Sequence, residues 1–161
     1  AVAAKNPNDK RAQLNLADVY QQGDMLDKTA AVLEKLRASD QVTQDKENRQ
    51  LYATYLNMDG KEAQAIGVIN DGVQKGVLKP DYQTYVALAQ AYYFSEQIEP
   101  SIENYRKAAP LAENGEAYLN LAKVLANEDR IGEAKQAAQQ ALDKGIKNPK
   151  EARDILARPG K

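Results

Sequence analysis

The chain has 161 residues, about one domain by length, with a formal net charge of −1, 43% hydrophobic and 28% charged residues. That balance is ordinary for a globular chain and leaves no polybasic field for nucleic acid or an anionic membrane. Cys, His and Trp are all absent, which excludes disulfides, thiolate nucleophiles, histidine-based triads and zinc sites built from the usual ligands.

From residue 10 onward one spacing rule recurs four times. The first unit, about 10–43, carries Leu16-Ala17, Tyr20, Thr29, Leu33 and Leu36. The second, about 46–79, carries Tyr52-Ala53, Leu56, Ala65, Ile69 and Gly72. The third, about 82–114, carries Tyr85, Leu88-Ala89, Tyr92, Ser101, Tyr105 and Ala108. The fourth, about 115–148, carries Tyr118, Leu121-Ala122, Leu125, Ala134, Ala138 and Ala141. Offsets from the first leucine-like position are +1, +4, +13, +17 and +20 in every unit, and successive units start 36, 36 and 33 residues apart.

Offsets 0, +1 and +4 share one face of a first helix. Offsets +13, +17 and +20 form the inner stripe of a second. Small residues recur at +1, +13 and +20, where two helix backbones must approach closely. Each unit is therefore expected to be a helical hairpin whose face is buried when neighbours stack on it. Polar turns fall between the paired helices at Gln22-Gly23-Asp24, Met58-Asp59-Gly60, Ser95-Glu96-Gln97 and Asn127-Glu128-Asp129. Pro7, Pro80 and Pro149 precede first helices, where a missing N–H costs little. Pro100 near the start of a second helix is tolerated for the same reason, and Pro110 is expected to end the helix before it. Gly76 and Gly145 are candidate C-terminal glycines, inside two similar connectors, Lys75-Gly76-Val77-Leu78-Lys79-Pro80 and Lys144-Gly145-Ile146-Lys147-Asn148-Pro149.

This pattern resembles the tetratricopeptide repeat (TPR), W-x2-L-G-x2-Y…A-x3-F…P. The third and fourth units match best; in the first two, Gln13 and Arg49 stand where the family has a large aromatic. The resemblance implies an all-α TPR superhelix, an α-solenoid of about four helix-turn-helix repeats with partial flanking helices. Residues 1–9 resemble the end of a TPR second helix, a partial helix over 1–6 running into Pro7. Residues 149–158 are similar to a first helix, with Leu156-Ala157 in the Leu-Gly positions, and are expected to cap the last apolar face. The chain is thus expected to be the C-terminal part of a longer array. A narrower resemblance rests on Leu88 to Tyr93, Ile102 to Ala109, Asn114 to Ala122 and Ala141 to Pro149. These segments are similar to bacterial TPR proteins associated with the TonB energy-transduction system. That likeness implies a periplasmic protein working near TonB, ExbB and ExbD; a cytoplasmic adaptor is the alternative.

In TPR arrays the concave groove is lined by first-helix positions −5, −2, +2, +5 and +6 from the leucine. Here these are Arg11, Leu14, Asp18, Gln21 and Gln22; Glu47, Gln50, Thr54, Asn57 and Met58; Gln83, Val86, Gln90, Tyr93 and Phe94; and Glu116, Leu119, Lys123, Ala126 and Asn127. The surface is amide-rich, suited to the main chain of an extended peptide. Tyr93 and Phe94 offer an apolar anchor, unless Phe94 closes its hairpin against its own second helix. The Lys and Asn of a terminal-carboxylate clamp are missing: the matching places hold Leu14, Asp18, Gln50, Thr54, Val86 and Gln90.

No catalytic residue, cofactor or metal is expected. Asp40, Asp45, Glu47, Glu128 and Asp129 lack the spacing of a calcium loop and fit helix N-termini or solvated surface. Lys144, Lys147, Lys150 and Arg153 alternate with acids and fit a solvated face. The expected function is a non-enzymatic scaffold for a protein or peptide partner, TonB-system components among those implied by the resemblance, with no nucleic acid and no membrane insertion. A frame for a small ligand or an enzyme subunit is the reading from another class.

Overall fold

The computed structural model describes residues 9–160; the helix expected over 1–6 lies outside the described residues. Those residues form α-helices and connecting turns, with no strand among them. The helices are α1 (Lys10–Gln22), α2 (Leu26–Ala38), α3 (Asp45–Leu56), α4 (Glu62–Gln74), α5 (Tyr82–Phe94), α6 (Ile98–Ala108), α7 (Glu116–Asn127), α8 (Ile131–Lys144) and α9 (Pro149–Leu156).

The described residues divide into two compact units, one ending at Lys79 and the other beginning at Pro80. In the first, α1 packs on α2, α3 on α4, and α2 on α3. In the second, α5 packs on α6, α7 on α8, α6 on α7, and α9 against both α8 and α7.

The turns inside three hairpins share one geometry. Asp24, Glu96 and Asp129 adopt positive φ of 55°, 61° and 58°. The next residue then donates back to the end of the first helix: Met25 to the Tyr20 carbonyl at 2.8 Å, Gln97 to Tyr92 at 2.8 Å, Arg130 to Leu125 at 2.9 Å. These bonds satisfy carbonyls that a helix end leaves open. Gly76 and Gly145 take φ of 73° and 93° after α4 and α8, as expected of C-terminal glycines, and Asp40 at 55° does the same after α2. Pro110 stops α6, which ends at Ala108 and passes into one 3₁₀ turn over Ala109–Leu111.

Helix–helix contact falls on the small residues. Ala17 and Thr29 in the first unit are fully buried, as are Ala89, Ser101, Ala108, Ala122, Ala134 and Ala141 in the second. The Ser101 hydroxyl donates to the Ala89 carbonyl at 2.7 Å, tying the two close-packed positions of one hairpin together. Leu33, Leu51 and Ile69 fill one core, and Ile102, Leu121 and Leu125 the other.

Two expectations of register need correction. In the second repeat the buried set is Leu51, Tyr52 and Tyr55, while Ala53 and Leu56 are half-buried. The leucine position is Leu51, not Tyr52. The positive-φ residue of this turn, Gly60, follows Leu51 by nine residues, where Asp24, Glu96 and Asp129 follow their leucines by eight. The turn holds one extra residue, and α3 is rotated accordingly. Asn48, not Arg49, then occupies the place of the family aromatic, and it is buried. In α9 the buried residues are Ala152 and Ile155, while Leu156 is half-buried and Ala157 is exposed at the C-cap. The helix ends before Ala157 could take the small-residue position.

Candidate functional site

In the first unit the predicted binding face is a polar cluster. Asp9 caps α1 by accepting the Ala12 N–H at 3.2 Å. Along that helix Arg11, Asp18 and Gln21 are all exposed. Gln50 reaches across from α3 and donates to Asp18 Oδ1 at 2.9 Å and Gln21 Oε1 at 2.7 Å. Three predicted residues thus meet, and Asp18 and Gln21 remain open to solvent around the contact.

The one-residue rotation of α3 changes its contribution. Thr54 is only 3% exposed, and its hydroxyl donates to the Gln50 carbonyl within the helix at 2.7 Å. Glu47 is likewise buried, receiving the Lys10 ammonium at 2.8 Å and the Thr43 N–H at 3.2 Å. Neither lines an open face, and Glu47 is not a solvated carboxylate. Counted from Leu51, the outward positions are Lys46, Arg49, Ala53, Leu56 and Asn57. Only Asn57 is shared with the set predicted from sequence, and its Nδ2 donates to the Ala53 carbonyl at 2.9 Å. Arg49 pairs with Asp45 and with the Tyr52 hydroxyl. Its guanidinium holds the Asp45 carboxyl below the usual range against the opposing effect of burial, helped by the Lys79 N–H at 3.0 Å. Lys46 and Arg49 were missed by sequence reasoning, because Gly60 follows Tyr52 by the usual eight residues and so points to the other register.

The second unit carries the apolar feature. Asp81 caps α5, accepting the Thr84 N–H at 3.0 Å. Along this helix Gln83 and Gln90 are exposed. At its end Phe94 is 69% exposed. It meets the Tyr93 ring edge-on, with centroids 5.7 Å apart and planes at 77°. Asn127 Nδ2 donates to the Tyr93 hydroxyl at 3.3 Å, joining α7 to the aromatic pair. Phe94 therefore does not close its hairpin; its ring stands in solvent beside amide donors and acceptors.

The rest of α7 is largely covered. Leu119 and Ala126, both expected to face outward, are buried, because α9 packs against this helix. Lys123 stays exposed but pairs with Glu151 of α9 at 2.9 Å. Glu116 Oε1 accepts the Lys147 N–H at 2.8 Å. Lys144 is not simply solvated: its ammonium donates to the Ala109 and Pro110 carbonyls at 3.2 Å and lies 5.8 Å from the Tyr118 ring centroid.

Among the described residues no group of three or more Asp or Glu is placed to hold a metal ion. No described helix is long and apolar enough to cross a membrane.

Residues 82–114 and 115–143 match the tetratricopeptide repeat model. No curated protein matches the chain. Solved structures match over nearly its whole length. The MamA structure (41-end) from Desulfovibrio magneticus RS-1 is 19% identical, with a TM-score of 0.71 over 96% of this chain and 79% of that one. YrrB, described as a TPR protein with an unusual peptide-binding site, is 17% identical, with a TM-score of 0.70 over 96% and 87%. TTC0263, a thermophilic TPR protein in Thermus thermophilus, is 17% identical, with a TM-score of 0.61 over 96% and 84%. At these identities the likeness is one of fold: an all-α TPR solenoid.

Proposed function

We propose that this chain, with tetratricopeptide repeats over residues 82–143 on a solenoid fold, is a non-enzymatic scaffold that holds an extended segment of a protein partner. The observation that carries the reading is the exposed Phe94 ring against half-buried Tyr93, beside Gln90 and Asn127. A large aromatic standing in water costs solvation unless something covers it, and aromatic anchors dominate binding energies at interfaces. The neighbouring amides supply donors and acceptors for a peptide main chain. The Asp18–Gln21–Gln50 cluster offers the same chemistry in the first unit. YrrB, similar in fold, is named for peptide binding.

The sequence likeness to TonB-associated TPR proteins supports a periplasmic setting with TonB, ExbB or ExbD as the partner. The test replaces Phe94 by a photo-crosslinking phenylalanine analogue in the cell and identifies the adducts by mass spectrometry. One specific protein adduct, lost from an analogue at the solvent-facing Gln139, is the expected result. No adduct at position 94 overturns the binding face. Adducts to proteins other than TonB, ExbB and ExbD overturn the TonB reading while leaving the scaffold standing.

A further inference from the structure

The first unit holds a small cavity of about 150 Å³. Its wall includes Asn48, Gly72, Val42 and Val77. Asn48 is 2% exposed. Its Nδ2 donates to the Val68 carbonyl at 3.2 Å, which fixes the amide's orientation: reversed, it would set two acceptors face to face. Its Oδ1 is then a buried acceptor with no partner in the structure. Gly72 makes room for this arrangement, since a Cβ there would lie 2.3 Å from Asn48 Nδ2. Buried acceptors are satisfied in the great majority of cases, by protein, water or ligand.

The lining also carries Arg37, Lys75, Asp40 and Asp71. Arg37 Nη1 lies 3.2 Å from Asp71, and Lys75 Nζ lies 3.2 Å from Asp40 and 3.4 Å from Asp71. Glu34, outside the lining, also holds Arg37 Nε at 3.3 Å, so both cations are already paired. A lone anion or cation entering this ring displaces one partner and leaves another uncompensated. A ligand carrying both signs compensates both, and an ammonium also supplies the donor that Oδ1 lacks.

We propose that this cavity binds a small zwitterion of free-amino-acid size, its ammonium donating to Asn48 Oδ1 and Asp71, its carboxylate accepting from Arg37 and Lys75. The site is separate from the partner-binding face and stands or falls independently of it. The test titrates glycine into the full ¹⁵N-labelled chain and follows backbone amide shifts. Saturable shifts at Asn48, Asp71 and Gly72 are expected, with affinity roughly tenfold weaker in Lys75→Gln and in Asn48→Leu. The Lys75 side chain is half-exposed, so its variant keeps the test valid where Asn48→Leu does not fold. Absence of saturable shifts overturns the proposal, since water alone then fills the cavity. It is also overturned if acetate or methylammonium alone matches glycine, or if folded Asn48→Leu and Lys75→Gln bind as the parent does.

Discussion

The Gly115 N–H donates to the Gly145 carbonyl at 2.8 Å, joining the residue before α7 to the residue after α8. This bond holds two backbones closer than side chains allow. A Cβ built on Gly115 would lie 2.2 Å from the Ala141 carbonyl oxygen. Backbone cannot swing aside as a flexible side chain can. Gly115→Ala is therefore expected to cost about 3 kcal/mol, the upper end of ordinary overpacking. Urea unfolding of the variant measures it, and a loss below about 1 kcal/mol, the lower end of that range, would contradict the close approach.

Two other glycines predict opposite signs for one substitution. Gly76 has φ +73° and open space around it, so Gly76→Ala meets backbone strain alone. The expected cost is about 1–2 kcal/mol. Gly67 lies inside α4, and a methyl group placed there would meet nothing within 4 Å. Gly67→Ala is expected to stabilise by about 0.5–1 kcal/mol through helix propensity. Thermal melts of both variants should bracket the parent.

Packing and binding should separate between Ala122 and Phe94. Ala122 is fully buried where α7 and α8 meet. Ala122→Leu is expected to lose ~1–3 kcal/mol of stability. Phe94→Ala and Gln90→Ala change exposed positions and should stay within about 0.5 kcal/mol of the parent. Their effect should fall on partner recovery in pull-downs instead. Recovery from Phe94→Ala equal to that from the parent would remove Phe94 from the binding face.

Alkaline stability should depend on two tyrosines. Burial pushes the Tyr105 hydroxyl up to about 12, with Tyr93 adding to the effect. Burial, then the hydrogen bond to Glu34 at 2.9 Å, does the same for Tyr55. In the unfolded chain both titrate near ~10. The folded state therefore favours their neutral forms. Their contribution is complete below about pH 10 and is lost as pH rises toward the folded values. Tyr105→Phe should flatten the fall in urea midpoint between about pH 10 and 12. An unchanged slope in both Tyr105→Phe and Tyr55→Phe would exclude them as its source.

The repeat was legible because small residues at helix crossings cannot be exchanged freely. Ala89, Ser101 and Ala108, or Ala122, Ala134 and Ala141, announce a hairpin by size alone. Phase within a helix was less legible. Leu51-Tyr52 and Tyr52-Ala53 both compete for the leucine–small pair; Gly60 follows Tyr52 by the usual eight residues, and only burial in the fold decides for Leu51. Burial by a later helix was also hidden. Leu119 and Ala126 sit at outward repeat positions, but α9 lies against their helix. Of the predicted site, Asp18, Gln21 and Gln50 do converge, as do Tyr93 and Asn127. Thr54 fell to the shifted phase.

That shifted phase has a use beyond its local packing. One residue turns a helix by about 100°, so the longer turn before Gly60 buries Thr54 and brings Arg49 and Ala53 to the equivalent outward positions, while Gln50 still reaches Asp18 and Gln21. No substitution on the helix face is needed. A solenoid can alter the chemistry it presents at one rung by lengthening a loop at the rung's edge, and leave every neighbouring rung as it was.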